Sequence, residues 1–202
     1  KTIPFFVFMF LGMVTAYTFF FTVLPEATVN QIFNIQISTI QSVNADIASQ
    51  ISGNFFGKFF PIIVANNLKV MIFAVLFSFI YGSGAIFILT WNASVLGVAI
   101  GSLFREIVSN AASGVGAVGI GTYFGAISLS FARYMIHGIP EIGAYFVAGL
   151  AGGLISVGVL RYQLFNDKFK VVLKDALFLF LIAIILVLMS GAIEVLISPL
   201  LY

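Results

Sequence analysis

His137 and Glu141 are ionisable side chains four residues apart in an otherwise apolar stretch, with Gly138 and Pro140 between them. Residues at that spacing share a face if they lie on one regular helix. A carboxylate at a helix start is stabilised there, and a nearby imidazole can donate to it. The pair reads either as a structural closure of a turn or as a proton or cation site, which includes a metal held by His137 and Glu141. Asn66, Asn67 and Asn92 are amides that could join such a site, and Lys69, Arg133 and Glu194 complete the set. Polar groups inside a bilayer are costly and are functional candidates by default. Each also has a plainer role. Lys69 and Arg133 sit near span ends and can carry their charges to the interface. Glu194 lies close to the end of the last apolar segment and is expected at the interface. Asn66 and Asn67 can cap a span, and Asn92 a broken helix.

Other chemistries are poorly served. The chain has no cysteine and one histidine, so disulfides, thiol catalysis, Cys-ligated zinc and a His-rich metal site within one chain are excluded. A metalloprotease would need a ligand set such as H-E-x-x-H. The three aspartates, Asp46, Asp167 and Asp175, fall in loops or at a boundary, so an intramembrane aspartyl pair is absent. Gly114–Gly119 matches G-x-G-x-x-G, but no strand precedes it and no βαβ unit surrounds it. Ala117–Gly121 resembles a potassium filter, yet Arg105–Ser113 separates it from the preceding short helix. The expectation is a protein that is not an enzyme and takes no cofactor.

Composition defines the setting. Of 202 residues, 61% are hydrophobic and 8% are charged. Ordinary soluble domains carry about 25% charged residues. Sixteen charges cannot cover the surface of a soluble domain this size, so the chain is read as an integral membrane protein whose first partner is the lipid bilayer. Nine basic and seven acidic residues, scattered, make no nucleic-acid footprint.

The fold class expected is all-α, a polytopic membrane helix bundle forming one domain over 1–202. A span needs about 20 apolar residues. Thr2–Pro25 is uncharged throughout and is the first. Phe33, Ile37, Ile40, Val43, Ile47 and Ile51 then recur at spacings of three and four, the stripe of an amphipathic helix within segment 26–58. No Lys or Arg lies between Glu26 and Lys58, so an extracytoplasmic helix packed on the bundle or lying along the surface is expected. Val70–Phe104 is charge-free for 35 residues, about 52 Å as one helix, which overshoots the bilayer. A break at Trp91-Asn92 is expected, giving a span over Val70–Thr90 and a re-entrant or half helix over Asn92–Phe104. Further spans are expected at about Val115–Tyr134, at Glu141–Tyr162 after a turn at His137–Pro140, and at Asp175–Ser198. Arg161, Lys168, Lys170 and Lys174 cluster around 163–174, which is therefore expected to be a cytoplasmic loop. Five spans then put the N-terminus inside and the C-terminus outside. Gly97 and Gly101, Gly121 and Gly125, and Gly149, Gly152 and Gly153 are spaced for close helix approach, predicting a tight bundle and allowing a homodimer.

Four runs carry a family resemblance: Asn66-Asn67-Leu68-Lys69, Asn92-Ala93-Ser94-Val95-Leu96-Gly97, His137-Gly138-Ile139-Pro140-Glu141-Ile142, and Ala148-Gly149-Leu150-Ala151-Gly152-Gly153. In this order the chain resembles the stage II sporulation protein M family, with the core of the likeness over 66–162. Ile136 stands where that pattern has proline before His-Gly. The resemblance implies a multipass membrane protein without established catalytic chemistry, which in spore formers acts as a scaffold for peptidoglycan-degrading partners. The expected role is a non-enzymatic scaffold with membrane or envelope protein partners. The alternative is an ion or small-solute conduit using Asn66, Asn67, Asn92, His137 and Glu141.

Overall fold

Thr2–Val23 is a helix, α1, of 22 residues, about 33 Å at 1.5 Å per residue and so matched to a bilayer core. It ends where Pro25 removes a backbone donor. The structure is a computed structural model and describes residues 2–48, 55–82, 84–115, 118–162 and 166–197. Six more helices follow: α2 (Glu26–Ile32), α3 (Asn34–Ala48), α4 (Phe55–Tyr81), α5 (Ala85–Val115), α6 (Ile120–Arg161) and α7 (Asp167–Leu196). Among the described residues there is no strand. Helices α1, α4, α5, α6 and α7 are long and apolar enough to cross a membrane. Their outward faces carry large apolar side chains, such as Phe8, 74% exposed, and Leu160, 83% exposed, as lipid contact requires.

The number of spans agrees with expectation, but their boundaries do not. The expected break at Trp91-Asn92 does not occur, and Asn92–Phe104 is not a half helix: α5 runs through it unbroken. The polar groups there are satisfied in place, the Ser94 hydroxyl donating to the Trp91 carbonyl at 2.7 Å. The chain turns earlier. Gly82 adopts φ +67°, a left-handed conformation that glycine takes without strain and that commonly ends helices. A Cβ on Gly84 would stand 2.2 Å from the Phe77 carbonyl oxygen. The Ser78 hydroxyl accepts the Ala85 N–H at 3.2 Å, satisfying a free donor at the start of α5.

The expected turn at His137–Pro140 is also absent. The segments read as two spans, Val115–Tyr134 and Glu141–Tyr162, belong to one 42-residue helix with Pro140 inside it. The expected loop over 163–174 is mostly the start of α7. Asn166 caps that helix by accepting the Lys168 N–H at 3.2 Å. Asp167 lies in the first turn, where a negative charge suits the helix dipole, and pairs with Lys170 at 2.9 Å. Residues 49–54, Gly116, Ala117 and 163–165 lie outside the described residues, as do Ser198 and Pro199 at the expected end of the last span. Ile51 of the amphipathic stripe lies outside them too, as do the side chains of Val43, Asp46 and Ile47.

The chain divides into two compact units. The first comprises Lys1–Gly53 and Thr90–Ile136, the second Asn54–Leu89 and His137–Tyr202. In the first, Phe21, Val29, Phe33 and Val98 form a buried core, with Tyr17, Leu24, Ile37 and Ile40 packed against it. The apolar stripe of segment 26–58 is thus spent, over its described part, on packing against α1 and α5. Gln36 reinforces this by donating to the Ser94 hydroxyl at 3.2 Å. Gly97 and Gly101 let α1 and α5 approach: a Cβ would stand 2.6 Å from Tyr17 and 2.7 Å from Phe21 respectively. Arg105 donates to the Thr22 carbonyl at 3.3 Å and to that of Leu24, closing the end of α1, and stacks over the Phe21 ring.

In the second unit α4, α6 and α7 pack together. A Cβ on Gly149 would stand 2.7 Å from Ala85, and one on Gly152 2.3 Å from the Val75 carbonyl oxygen. Gly153 has ordinary contact distance there, and Gly121 and Gly125 have open space. Gly121 and Gly125 therefore take no part in packing within the described chain. Gly152→Ala must push backbone aside and is expected to cost about 1–3 kcal/mol, with a lowered melting temperature in detergent. Gly121→Ala, measured in parallel, should melt like the parent.

Candidate functional site

Helices α6 and α7 run antiparallel. The Ser190 hydroxyl donates to the His137 carbonyl at 2.9 Å, Gly143 faces Leu186, and Gly158 faces Val172 and Phe169. This register explains how α6 survives a proline. Pro140 has no N–H for the Ile136 carbonyl, and its ring crowds the turn before it. A membrane helix tolerates this when a neighbouring side chain supplies a donor. Ser190 is fully buried and does so at the adjacent carbonyl.

The same helices carry two carboxyl groups. Side chains on a helix lean toward its N-terminus. On antiparallel neighbours Glu141 and Glu194 therefore lean toward each other from positions about two turns apart along the helices. Tyr145 is 1% exposed, donates its hydroxyl to Glu141 Oε1 at 2.7 Å, and also feels the charge of Glu194. Helix α4 forms a third wall. Val64, with Phe60 and Ile63 beside it, contacts Gly191. Asn67 is one turn further along the same face and is 4% exposed, and its side-chain Nδ2 is buried with no hydrogen-bond partner.

The predicted residues are thus partly brought together. Asn67, His137 and Glu141 lie in the second unit on facing helices. His137 and Glu141 share one helix face, as the four-residue spacing allows. Asn66 and Lys69 are exposed on α4. Asn92 is half-buried in the first unit. Arg133 stands over the Tyr134 ring in that unit and feels the charge of Glu106. Glu194, expected at an interface, lies two residues before the end of α7 and beside buried Val195. Tyr145 and Ser190 carry no sequence signal of their own, although Tyr145 follows Glu141 by one turn. Among the described residues no three His, Cys, Asp or Glu converge as a metal-binding group.

Replacing Ser190 by alanine should remove the interhelical donor to the His137 carbonyl, at a cost of about 1 kcal/mol. The loss should shrink when Pro140 is also replaced by alanine, since a backbone N–H restored at that position relaxes the turn. Melting temperatures of the two single variants and the double variant give this coupling directly.

Comparison with known proteins agrees with the fold. The family described as stage II sporulation protein M matches residues 2–199, essentially the whole chain and wider than the core of the motif likeness. An uncharacterized protein of Methanocaldococcus jannaschii is 32% identical over 169 residues, covering 82% of this chain and 84% of that protein. No solved structure matches. With five membrane-crossing helices and a match from residue 2 to residue 199, this chain is a multipass membrane protein and belongs to the stage II sporulation protein M family.

Proposed function

We propose that the chain is a non-enzymatic scaffold of the cell membrane that presents α2 and α3 to envelope protein partners. The supporting observation is how that helix pair is held. Its inner face is locked on α1 and α5 through Phe33, Ile37 and Ile40. Over residues 30–42 its outer face is uncharged: Asn30, Gln31, Asn34, Ser38, Gln41 and Ser42 are exposed, with Ile32 and Ile35 among them at 57% and 60%. A fixed, neutral, mixed polar and apolar surface suits protein docking better than attraction to anionic lipid. The cluster Arg161, Lys168, Lys170 and Lys174 favours a cytoplasmic α6–α7 connection. Five spans then put the N-terminus inside and α2–α3 outside. The family likeness points the same way, since it implies assembly with partners and not chemistry.

Because the inner stripe is packed, the docking test belongs on the outer face. Ile35→Asp should abolish co-purification of cross-linked partners from native membranes while the protein still inserts and melts normally. Partners retained at the parental level in that variant would contradict the proposal.

The conduit reading keeps one specific support, the Glu141–Tyr145–Glu194 group within a helix bundle. Proton and monovalent cation flux in liposomes decides it. As a scaffold, the protein should give no flux above empty liposomes. Flux that Glu141→Gln abolishes would favour the conduit.

A further inference from the structure

We infer that the start of α7 is a binding site for an anionic phospholipid, whose phosphate sits on Lys170 and Lys174 and whose acyl chain lies along the outer face of the helix below them. Arg161 of α6 adds its charge at the same end of the second unit. This site is independent of the scaffold reading.

Charge is concentrated here. Residues 161–175 hold four of the nine basic residues, Arg161, Lys168, Lys170 and Lys174, against Asp167 and Asp175. That excess equals the net charge of the whole chain, +2, so the rest of the chain is balanced. All four basic residues are exposed. They belong together in space, because Gly158, one turn before Arg161, approaches Val172 and Phe169.

Helix length sets their depth. Residues 176–196 of α7 are about 30 Å long at 1.5 Å per residue and fill a bilayer core. Lys174 then stands at the edge of the core, and Lys170 about 6 Å beyond it, at the level of lipid headgroups. Positions 170, 174, 177, 178 and 181 recur at helical spacing and share one face. Phe169, Ala176 and Ala183 are buried on the opposite side. Lys170 and Lys174 are therefore in line with Leu177, Phe178 and Leu181, all exposed.

Two cations above three large apolar side chains match the two parts of one anionic lipid, its phosphate and its acyl chain. A basic loop is enough to orient a span, and nothing in that role requires lysines aligned with the lipid-facing side of a helix. Lys170 pairs with Asp167 at 2.9 Å. An exposed pair of this kind is weak, so a phosphate can compete for the lysine. A free phosphate would match the cations but leave the apolar face below them without a role, which favours the lipid.

The test uses the full chain in vesicles of neutral phosphatidylcholine with a trace of spin-labelled phosphatidylglycerol or, separately, of spin-labelled phosphatidylcholine. Electron paramagnetic resonance reads the fraction of each label held at the protein surface. The parent should hold the anionic label in preference to the neutral one, and the preference should fall at about 1 M salt, where the Debye length is about 3 Å. Lys170→Gln and Lys174→Gln should each reduce the preference by at least about twofold while the protein melts like the parent, since both side chains are exposed. Lys58→Gln is the control for net charge. Its neighbours Phe60 and Val64 meet α7 at Gly191, about 25 Å along the helix from Lys174, and it should leave the preference unchanged. No preference in the folded parent, an equal loss in Lys58→Gln, or the parental preference in the variant carrying both Lys170→Gln and Lys174→Gln would overturn the assignment. Displacement of the label by millimolar inorganic phosphate would also overturn it, by showing a site for the free anion.

Discussion

A polar group carried into a helix bundle within lipid has no water to fall back on and must be satisfied by another helix. Much of the second unit follows from that demand. Pro140 disturbs the backbone of α6, and Ser190 on α7 answers it at the His137 carbonyl. That one bond fixes the register of two antiparallel helices. Helix α6 also carries Glu141, whose carboxylate accepts the Tyr145 hydroxyl. The first unit meets the same demand with Arg105, whose guanidinium takes up carbonyls at the end of α1. Close packing makes such bonds reachable, and glycines allow it: Gly97 and Gly101 in the first unit, Gly149 and Gly152 in the second.

The two compact units are built differently. The first unit holds a short amphipathic helix pair with its apolar stripe inward and a neutral face outward, a geometry suited to docking. The second places a pair of carboxyl groups among α4, α6 and α7.

Much of this was legible in the residues, and the misses have physical causes. Charge-free runs identified a membrane bundle and five spans, because composition alone decides whether a segment can enter lipid. The stripe of Phe33, Ile37 and Ile40 correctly announced an amphipathic helix packed on the bundle. Boundaries failed where a local signal competed with tertiary contact. Pro140 is a strong helix starter in water, yet a serine 50 residues later in sequence lets the helix continue through it. Asn92 looked like a cap, whereas Gly82 and Gly84 carry the real turn through a left-handed φ and a close carbonyl approach. Of the candidate cluster, Asn67, His137 and Glu141 lie on facing helices, and Asn92 lies in the other unit.

That register is the central claim, and the absence of native cysteine makes it directly measurable. Cysteines placed at Gly143 and Leu186, which face each other, should form a disulfide rapidly in native membranes under mild oxidation. Cysteines at Gly143 and Leu179, about two turns away along α7, should not. Efficient cross-linking of the second pair and not the first would separate Glu141 from Glu194 and contradict the account.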